Sequence, residues 1–329
     1  MATLSGSVLT LADWTKKLDP DGKIAKTVEI LSQTNEILDD MLFKEGNLPT
    51  GEQTTIRTGL PSVYYRLMNQ GVPKSKSTTA QITENAASLE ARCEVDCEVA
   101  QLNGNVNQFR IDEGMAFLEA MNQQQASTLF YGSAANPEEF VGFANRYGDL
   151  SAGNAQNIID AGGTGSDNTS IYLVGWGSRT VHGVFPKGSK AGISHEDLGV
   201  GDAFDSNDNR FRAYMDHWKW KNGLVVKDWR YAVRIANVDV SALIADPTGS
   251  SFDLIELMLK AIHRIPELKS TNLSFYVNRT VGEMLDIQAM NKSNLQLNVG
   301  NEEGNFKTRL RNIPISTVDA LLETEARVV

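Results

Sequence analysis

Cysteine is scarce in this chain: Cys93 and Cys97 are the only two in 329 residues, too few for a disulfide framework. That scarcity points to a reducing compartment and to stability drawn from packing rather than cross-links. Histidine is sparse as well. His182, His195, His217 and His263 never fall in the spacing that sets two imidazoles and a glutamate on one helical face, as a metalloprotease needs. Basic charge is in deficit, with 31 Lys and Arg against 41 Asp and Glu for a net charge of −10, which disfavours tight binding to a phosphate backbone or an anionic membrane. Long apolar runs are missing too. No segment approaches the ~18 uninterrupted apolar residues of a membrane span, and Met1 to Lys17 lacks the basic start and apolar core of a signal peptide.

What is present is an ordinary globular composition, 41% apolar and 22% charged, rich enough in apolar side chains to fold. The spacing of Ile24, Val28, Leu31, Leu38 and Leu42 predicts a helix over 23–43, ended by Glu45-Gly46-Asn47 and Pro49. Residues 47–88 are dominated by Thr, Ser, Gln, Gly and Pro, with strand-like runs at Thr54–Thr58 and Ser62–Met68; few large apolar residues are there to fill a core, so the segment reads as an extended, hairpin-like arm. Alternation from Leu89 to Val99 predicts a half-buried strand, with Cys93 and Cys97 on its apolar face beside Val95. Asp112 to Tyr131 reads as a helix of roughly 30 Å, opened by Asp112-Glu113 and closed by Gly132. A buried strand is expected at Ser170–Trp176, a strand pair over 216–234 turning at Lys221-Asn222-Gly223, and a helix from Phe252 to Ile265 led by Ser250-Ser251. A strand from Leu273 to Val277 then feeds a helix from Arg279 to Met290 capped by Asn278, and strand-like runs close the chain at Phe306–Arg311 and Ile313–Ile315.

Chemistry is hard to find in this pattern. Asp205, Asn207 and Asn209 alternate like calcium-loop ligands with Asp216 at the twelfth position, but Arg210 stands where that loop requires glycine and Asp216 where it requires glutamate. A solvated turn is the better reading. Gly162-Gly163-Thr164-Gly165-Ser166 lacks the Gly-Lys-Ser/Thr ending of a phosphate loop, and no clear strand leads into it. Ser194-His195-Glu196-Asp197 are sequence neighbours, whereas a catalytic triad is assembled from separated elements. Trp218-Lys219-Trp220-Lys221 could stack on nucleic-acid bases, but alternation on a half-buried strand and the acidic net charge make core packing the better reading. The residues therefore offer no catalytic, cofactor-binding or metal site. A polar-loop carbohydrate-binding or decoration module and a hydrolase of unrecognised type stand as the alternatives to a structural role.

Five stretches carry a resemblance: 19–61, 75–81, Glu119 to Gly132 (EAMNQQQASTLFYG), Tyr276 to Leu285 (YVNRTVGEML) and 313–322. They resemble the major capsid proteins of tailed bacteriophages with the Hong Kong 97-type α+β fold, and more closely the capsid-protein family of short-tailed phages typified by epsilon15 and Bordetella phage. The resemblance implies an amino-terminal arm with its helix over 1–46, an extended loop over 47–88, and a peripheral-domain strand and spine helix over 89–132. It implies axial-domain parts over 133–212 and 246–329 and peripheral-domain strands over 213–245. The implied function is self-assembly into the pentamers and hexamers of an icosahedral head around double-stranded DNA, with no enzyme activity, no cofactor and no membrane. The implied partners are other copies of the chain, a portal, a scaffolding protein and a cement or decoration protein, with packaged DNA touched only non-specifically. Assembly would take place in the host cytoplasm and the product would be the virion shell. Crosslinking between subunits needs an aligned side-chain trio that sequence does not display.

Overall fold

The computed structural model describes residues 33–329 except 103–104, 206–207, 247–248, 250–252, 270, 292–296 and 303–304. The amino-terminal part of the expected helix over 23–43 lies outside these residues. Its described end is a single turn of helix, Ile37–Asp40, after which Met41 turns extended and Phe43–Glu45 forms strand β1. The helix stops there because a sheet claims the backbone: β1 pairs in parallel with Gly183–Phe185, and the Leu42 carbonyl accepts from Gly183 N at 2.8 Å.

The arm is a two-stranded antiparallel ribbon of β2 (Gly51–Gly59) and β3 (Thr78–Asn85), in register from Gly51 opposite Asn85. The second strand is therefore not Ser62–Met68 as expected; that stretch has no strand partner among the described residues. Pro61 and Pro73 lack backbone donors and bracket it, so pairing stops at Gly59 and resumes at Thr78. Strand β4 (Ala87–Asp96) comes next. It ends earlier than the alternation suggested, because the Asp96 carboxylate accepts from Glu98 N at 2.8 Å and caps a short helix, Cys97–Gln101. Cys97 and Val99 thus leave the strand.

The long helix runs from Val106 to Tyr131, six residues longer at its start than the sequence suggested. Asn105 caps it by accepting from Gln108 N at 3.3 Å, so Asp112 and Glu113 lie in its interior rather than at its positive end. Gly132 closes it, donating to Thr128 O at 2.8 Å. Two cores divide the molecule. The smaller gathers Cys93, Val95, Phe109, Met121, Trp218 and Trp220, where the front of the long helix packs on β4 and β9 (Arg210–Val226). The larger surrounds β6 (Asn168–Trp176), buried along its whole length as expected. The end of the long helix enters it, with Phe130 5.1 Å from Tyr172 and 6.1 Å from Phe143, ring centre to ring centre.

Strand β9 joins the two cores. The expected turn at Lys221-Asn222-Gly223 is absent, and the strand runs straight through it. At that point it changes partners: Asn222 faces Ala87 of β4, while Gly223 to Val226 pair with β7 (Val181–Phe185). Glycine is needed there, since a Cβ on Gly223 would lie 2.7 Å from Asn85 O. On its other edge β9 pairs with β8 (Ile193–Phe204), with a bulge between Asp197 and Gly199.

Around β6 the strands β10 (Ala232–Asp239) and β11 (Asn272–Val277) run antiparallel to it. A short strand β5 (Ile158–Asp160) pairs with β10 and leads into the Gly162 loop, where the sequence had suggested none. The helix expected over 252–265 spans Leu254–Ile262, and its cap is Asp253, which accepts from Glu256 N at 3.0 Å. The next helix, Arg279–Asn291, is led by Asn278, whose Oδ1 accepts from Thr280 N at 2.8 Å. Strands β12 (Leu297–Glu302), β13 (Asn305–Leu310) and β14 (Ile313–Thr317) complete the sheet, β14 lying parallel to β11.

Candidate functional site

Where the arm meets the body, a carboxylate on each strand is held by body cations. On β2, Glu52 is buried, with one oxygen 2.6 Å from Lys227 Nζ and the other 2.8 Å from His182 Nε2. On β3, Glu84 takes both terminal nitrogens of Arg146, at 2.6 and 2.7 Å. Burial by itself would raise the Glu52 pKa, but hydrogen bonds from Lys227 and His182 outweigh it and hold the carboxyl below its ordinary range. Burial lowers the His182 pKa against the pull of Glu52; its ring is neutral at pH 7, and Nδ1 is buried without a partner. Asn47 adds a third tie, its amide donating to Gln53 O at 2.7 Å and accepting from Gln53 N at 2.8 Å. Pairs of charges this desolvated fix geometry strongly, because parting them strands a buried charge.

Farther from this root the arm is bare. Leu60, Val63, Tyr64, Tyr65, Leu67 and Met68 are all exposed, and in the backbone of 60–77 Gln70 N donates to Leu67 O at 3.2 Å.

The second feature is a groove of about 440 Å3 between the long helix and β8. Its wall is an apolar stripe, Ile111, Met115 and Leu118, at helical spacing and exposed. Its floor is Trp218, stacked on Phe117 at 5.7 Å and under the His195 ring at 5.0 Å. Gly114 lets the helix settle on the indole, since a Cβ there would lie 2.9 Å from the Trp218 ring. At one end Arg110 clasps both oxygens of buried Asp216, at 2.7 and 3.1 Å, and also reaches Asp197 at 2.8 Å. These hydrogen bonds push the guanidinium pKa up and the Asp197 pKa down.

The residues singled out by sequence scatter. His195 lies 2.9 Å from Asp216 Oδ1, but Ser194 Oγ donates to Lys219 O at 3.1 Å, so the pair has no nucleophile from its sequence neighbour. His217 pairs with Glu90 at 3.1 Å, and Lys219 pairs with the same carboxylate, holding it down to about 2. His263 ends its helix and contacts Arg311 at 3.3 Å. Asp205 closes a turn by accepting from Asn209 N at 2.8 Å and Nδ2 at 3.1 Å. Asp216 sits further along β9, tied to Arg110, so the calcium-like spacing is not brought together; Asn207 lies outside the described residues. Among the described residues no three His, Cys, Asp or Glu converge as a metal site would require. Trp218 and Trp220 are core side chains, as strand alternation suggested. Sequence reasoning missed Glu52, Glu84, Arg146, His182 and Lys227 as a set, because no local pattern links positions so far apart in the chain.

Solved structures of the same shape identify this architecture. The bacteriophage epsilon15 structure from electron cryo-microscopy matches with a TM-score of 0.79 and 33% sequence identity, covering 100% of this chain and 99% of that one. The capsid of bacteriophage JBD30 shares the fold at 7% identity, with a TM-score of 0.50 over 95% of this chain and 99% of that one. No curated protein matches in sequence. Arm, long helix and mixed α/β body are therefore those of a Hong Kong 97-type capsid subunit. A family model, that of major capsid protein GP7, matches residues 19–329, and the chain belongs to that family. It is a structural protein of the virion shell and not an enzyme, and it assembles with copies of itself.

Proposed function

We propose that copies of this chain form the pentamers and hexamers of an icosahedral phage head around double-stranded DNA, each copy laying its arm, residues 47–88, over a neighbour. The observation that carries this is an arm ion-paired at its root while its apolar far end is exposed. An isolated ribbon gains nothing from exposed Tyr and Leu side chains; a partner surface accounts for them. Repetition through a closed shell makes each modest contact strong in sum.

The two cores support a division into a peripheral unit, β4, β8, β9 and the front of the long helix, and an axial unit around β6, β10 and β11. Strand β8 then falls with the peripheral unit and β10 with the axial one, a shift from the boundaries expected at 133–212 and 213–245. The proposed division retains an amino-terminal arm over 1–46 and an axial remainder over 246–329. A portal through which DNA enters, a scaffolding protein that sets curvature and a cement or decoration protein complete the proposed partners, with assembly in the host cytoplasm. The acidic net charge suits a container that holds DNA only non-specifically.

The test is electron microscopy of the purified protein after gradient sedimentation, beside a variant in which residues 60–77 are replaced by a two-residue turn that leaves the root ion pairs intact. Uniform closed shells from the intact chain, lost in a still-folded variant, are expected. A monomer that never assembles, even when expressed with its neighbouring phage proteins, would overturn the reading.

A further inference from the structure

Positive charge gathers in one place on this molecule, in a chain whose net charge is −10. In the crook between strand β2 and the body lies a recess of about 580 Å3, walled by Thr54, Thr55 and Arg57 of the arm and by Arg179, Lys227 and Arg230 of the body. Among the described residues, Asp228 is the one carboxylate in its lining. Arg230 is shared with a second recess of about 460 Å3, to which His263 and Arg264 contribute. The two recesses together form a basic depression on an acidic protein.

Part of this charge is answered within the chain: Lys227 Nζ lies 2.6 Å from Glu52, and Arg230 Nη2 lies 2.7 Å from Asp228. The rest is not. Arg57 and Arg179 are exposed and make no ion pair or side-chain hydrogen bond among the described residues, and Arg264 is met by neutral carbonyls, Ile158 O at 2.8 Å among them. Like charges crowded into a recess repel one another, and an anion placed between them removes that repulsion. A guanidinium fork takes a carboxylate through two parallel hydrogen bonds. Duplex DNA is a poor fit, because a wide rod does not enter a recess between strand and loop, whereas a protruding carboxylate does. Copies of this chain supply such groups: Glu94, Glu98 and Glu138 are exposed and without an ion pair among the described residues.

We propose that the recess at Arg57, Arg179 and Arg230 is an anion-binding site that receives carboxylates from the body of a second copy. This rests on the proposed shell function and deepens it, by assigning an electrostatic contact between bodies that is separate from whatever the arm's apolar far end touches. A ring of identical subunits needs two unlike, complementary patches on each one, and a basic crook on an acidic body meets that need. The charges steer the encounter and fix its register.

Zero-length crosslinking of assembled shells tests it, with isotope-labelled and unlabelled full-length chains mixed before assembly so that a link between copies carries both labels. Arg57→Lys and Arg179→Lys each put an amine in place of a guanidinium, and a carbodiimide joins that amine to a carboxylate only when the two touch. Mass spectrometry is expected to find position 57 or 179 linked to an aspartate or glutamate of another copy, at least tenfold above the same chains treated before assembly. The charge-reversed variant Arg57→Glu with Arg179→Glu should lower the shell yield at least tenfold while circular dichroism shows it folded, and Arg57→Lys with Arg179→Lys should keep the yield within twofold. If the reversed variant does not fold, the link between copies alone decides. Closed shells without that link, or a normal shell yield from the reversed variant, would overturn the proposal and leave the shell function standing; reduced DNA in those normal shells would assign the recess to phosphates instead. Absence of shells from the unaltered chain would sink the shell reading and this one together.

Discussion

Replacing Glu325 by alanine should destabilise the folded subunit more than any other single change near the carboxyl terminus. Its carboxylate is buried against Arg234, with both side chains 4% exposed and Arg234 Nη2 2.7 Å from Oε2. Tyr131 OH donates to the other oxygen at 2.6 Å, and Ser170 Oγ donates to the first. Removing the carboxylate leaves the guanidinium charged, because Arg does not give up its proton. Its bonds to the carbonyls of Ala144 and Tyr147, at 3.1 and 3.0 Å, remain but carry no counter-charge. Breaking one partner of such a buried pair costs roughly 3–5 kcal/mol, and two hydroxyls lose their acceptor as well. At a few degrees per kcal/mol in a chain of this size, the midpoint should fall by on the order of 10 °C. The assay is thermal unfolding of the unassembled subunit followed by circular dichroism. Glu325→Gln, which keeps one acceptor oxygen but replaces the other with an NH2 group that can only donate, should fall between. The double variant Arg234→Met with Glu325→Leu should recover most of the loss, since an apolar pair of similar volume carries no stranded charge. A shift below about 2 °C for Glu325→Ala would refute the argument that this pair ties the terminal segment to the core.

Gly114→Ala should destabilise by about 1–2 kcal/mol in urea unfolding, the overlap with the Trp218 ring outweighing the ~1 kcal/mol that alanine gains in helix propensity. The arm root should loosen in acid. His182 is held neutral by burial and Glu52 is held ionised by its partners, so at each group the unfolded chain binds more protons than the folded one. Their contribution is complete above pH of about 6.5 and is lost progressively as pH falls through the ordinary glutamate value of 4.5. Faster amide exchange in β2 and β3 at pH 5 than at pH 7.5, after correction for intrinsic rates, is expected, and equal protection would count against it. Cys97 should react with a thiol reagent more slowly than free cysteine at pH 8, because burial and then Asp96 push its pKa up. Cys93, in the small core, should react only on unfolding.

The element types were largely legible from local patterns. The apolar run from Ile171 to Trp176 gave β6 away, Asn278 announced the helix after it, and a Thr- and Gly-rich stretch with nothing to bury marked the arm. Errors fell where a distant partner overruled a local preference. Lys221-Asn222-Gly223 has the composition of a turn, yet β4 and β7 bind it on successive stretches and keep it extended. Phe43–Glu45 has helical neighbours but is taken by β7. Asn105 was a readable cap, obscured by the polar residues around it.

Composition and periodicity were enough to define the class of molecule, an acidic chain of mixed α and β structure without a disulfide framework, with a long helix and a coreless polar arm, because both record which side chains must avoid water. How the arm is held, and what lies uncovered beside the helix, emerged from the packed molecule alone. Glu52, His182 and Lys227, or Ile111 and Trp218, meet through sheet register and packing that act across the whole chain, and short-range spacing carries no record of such meetings.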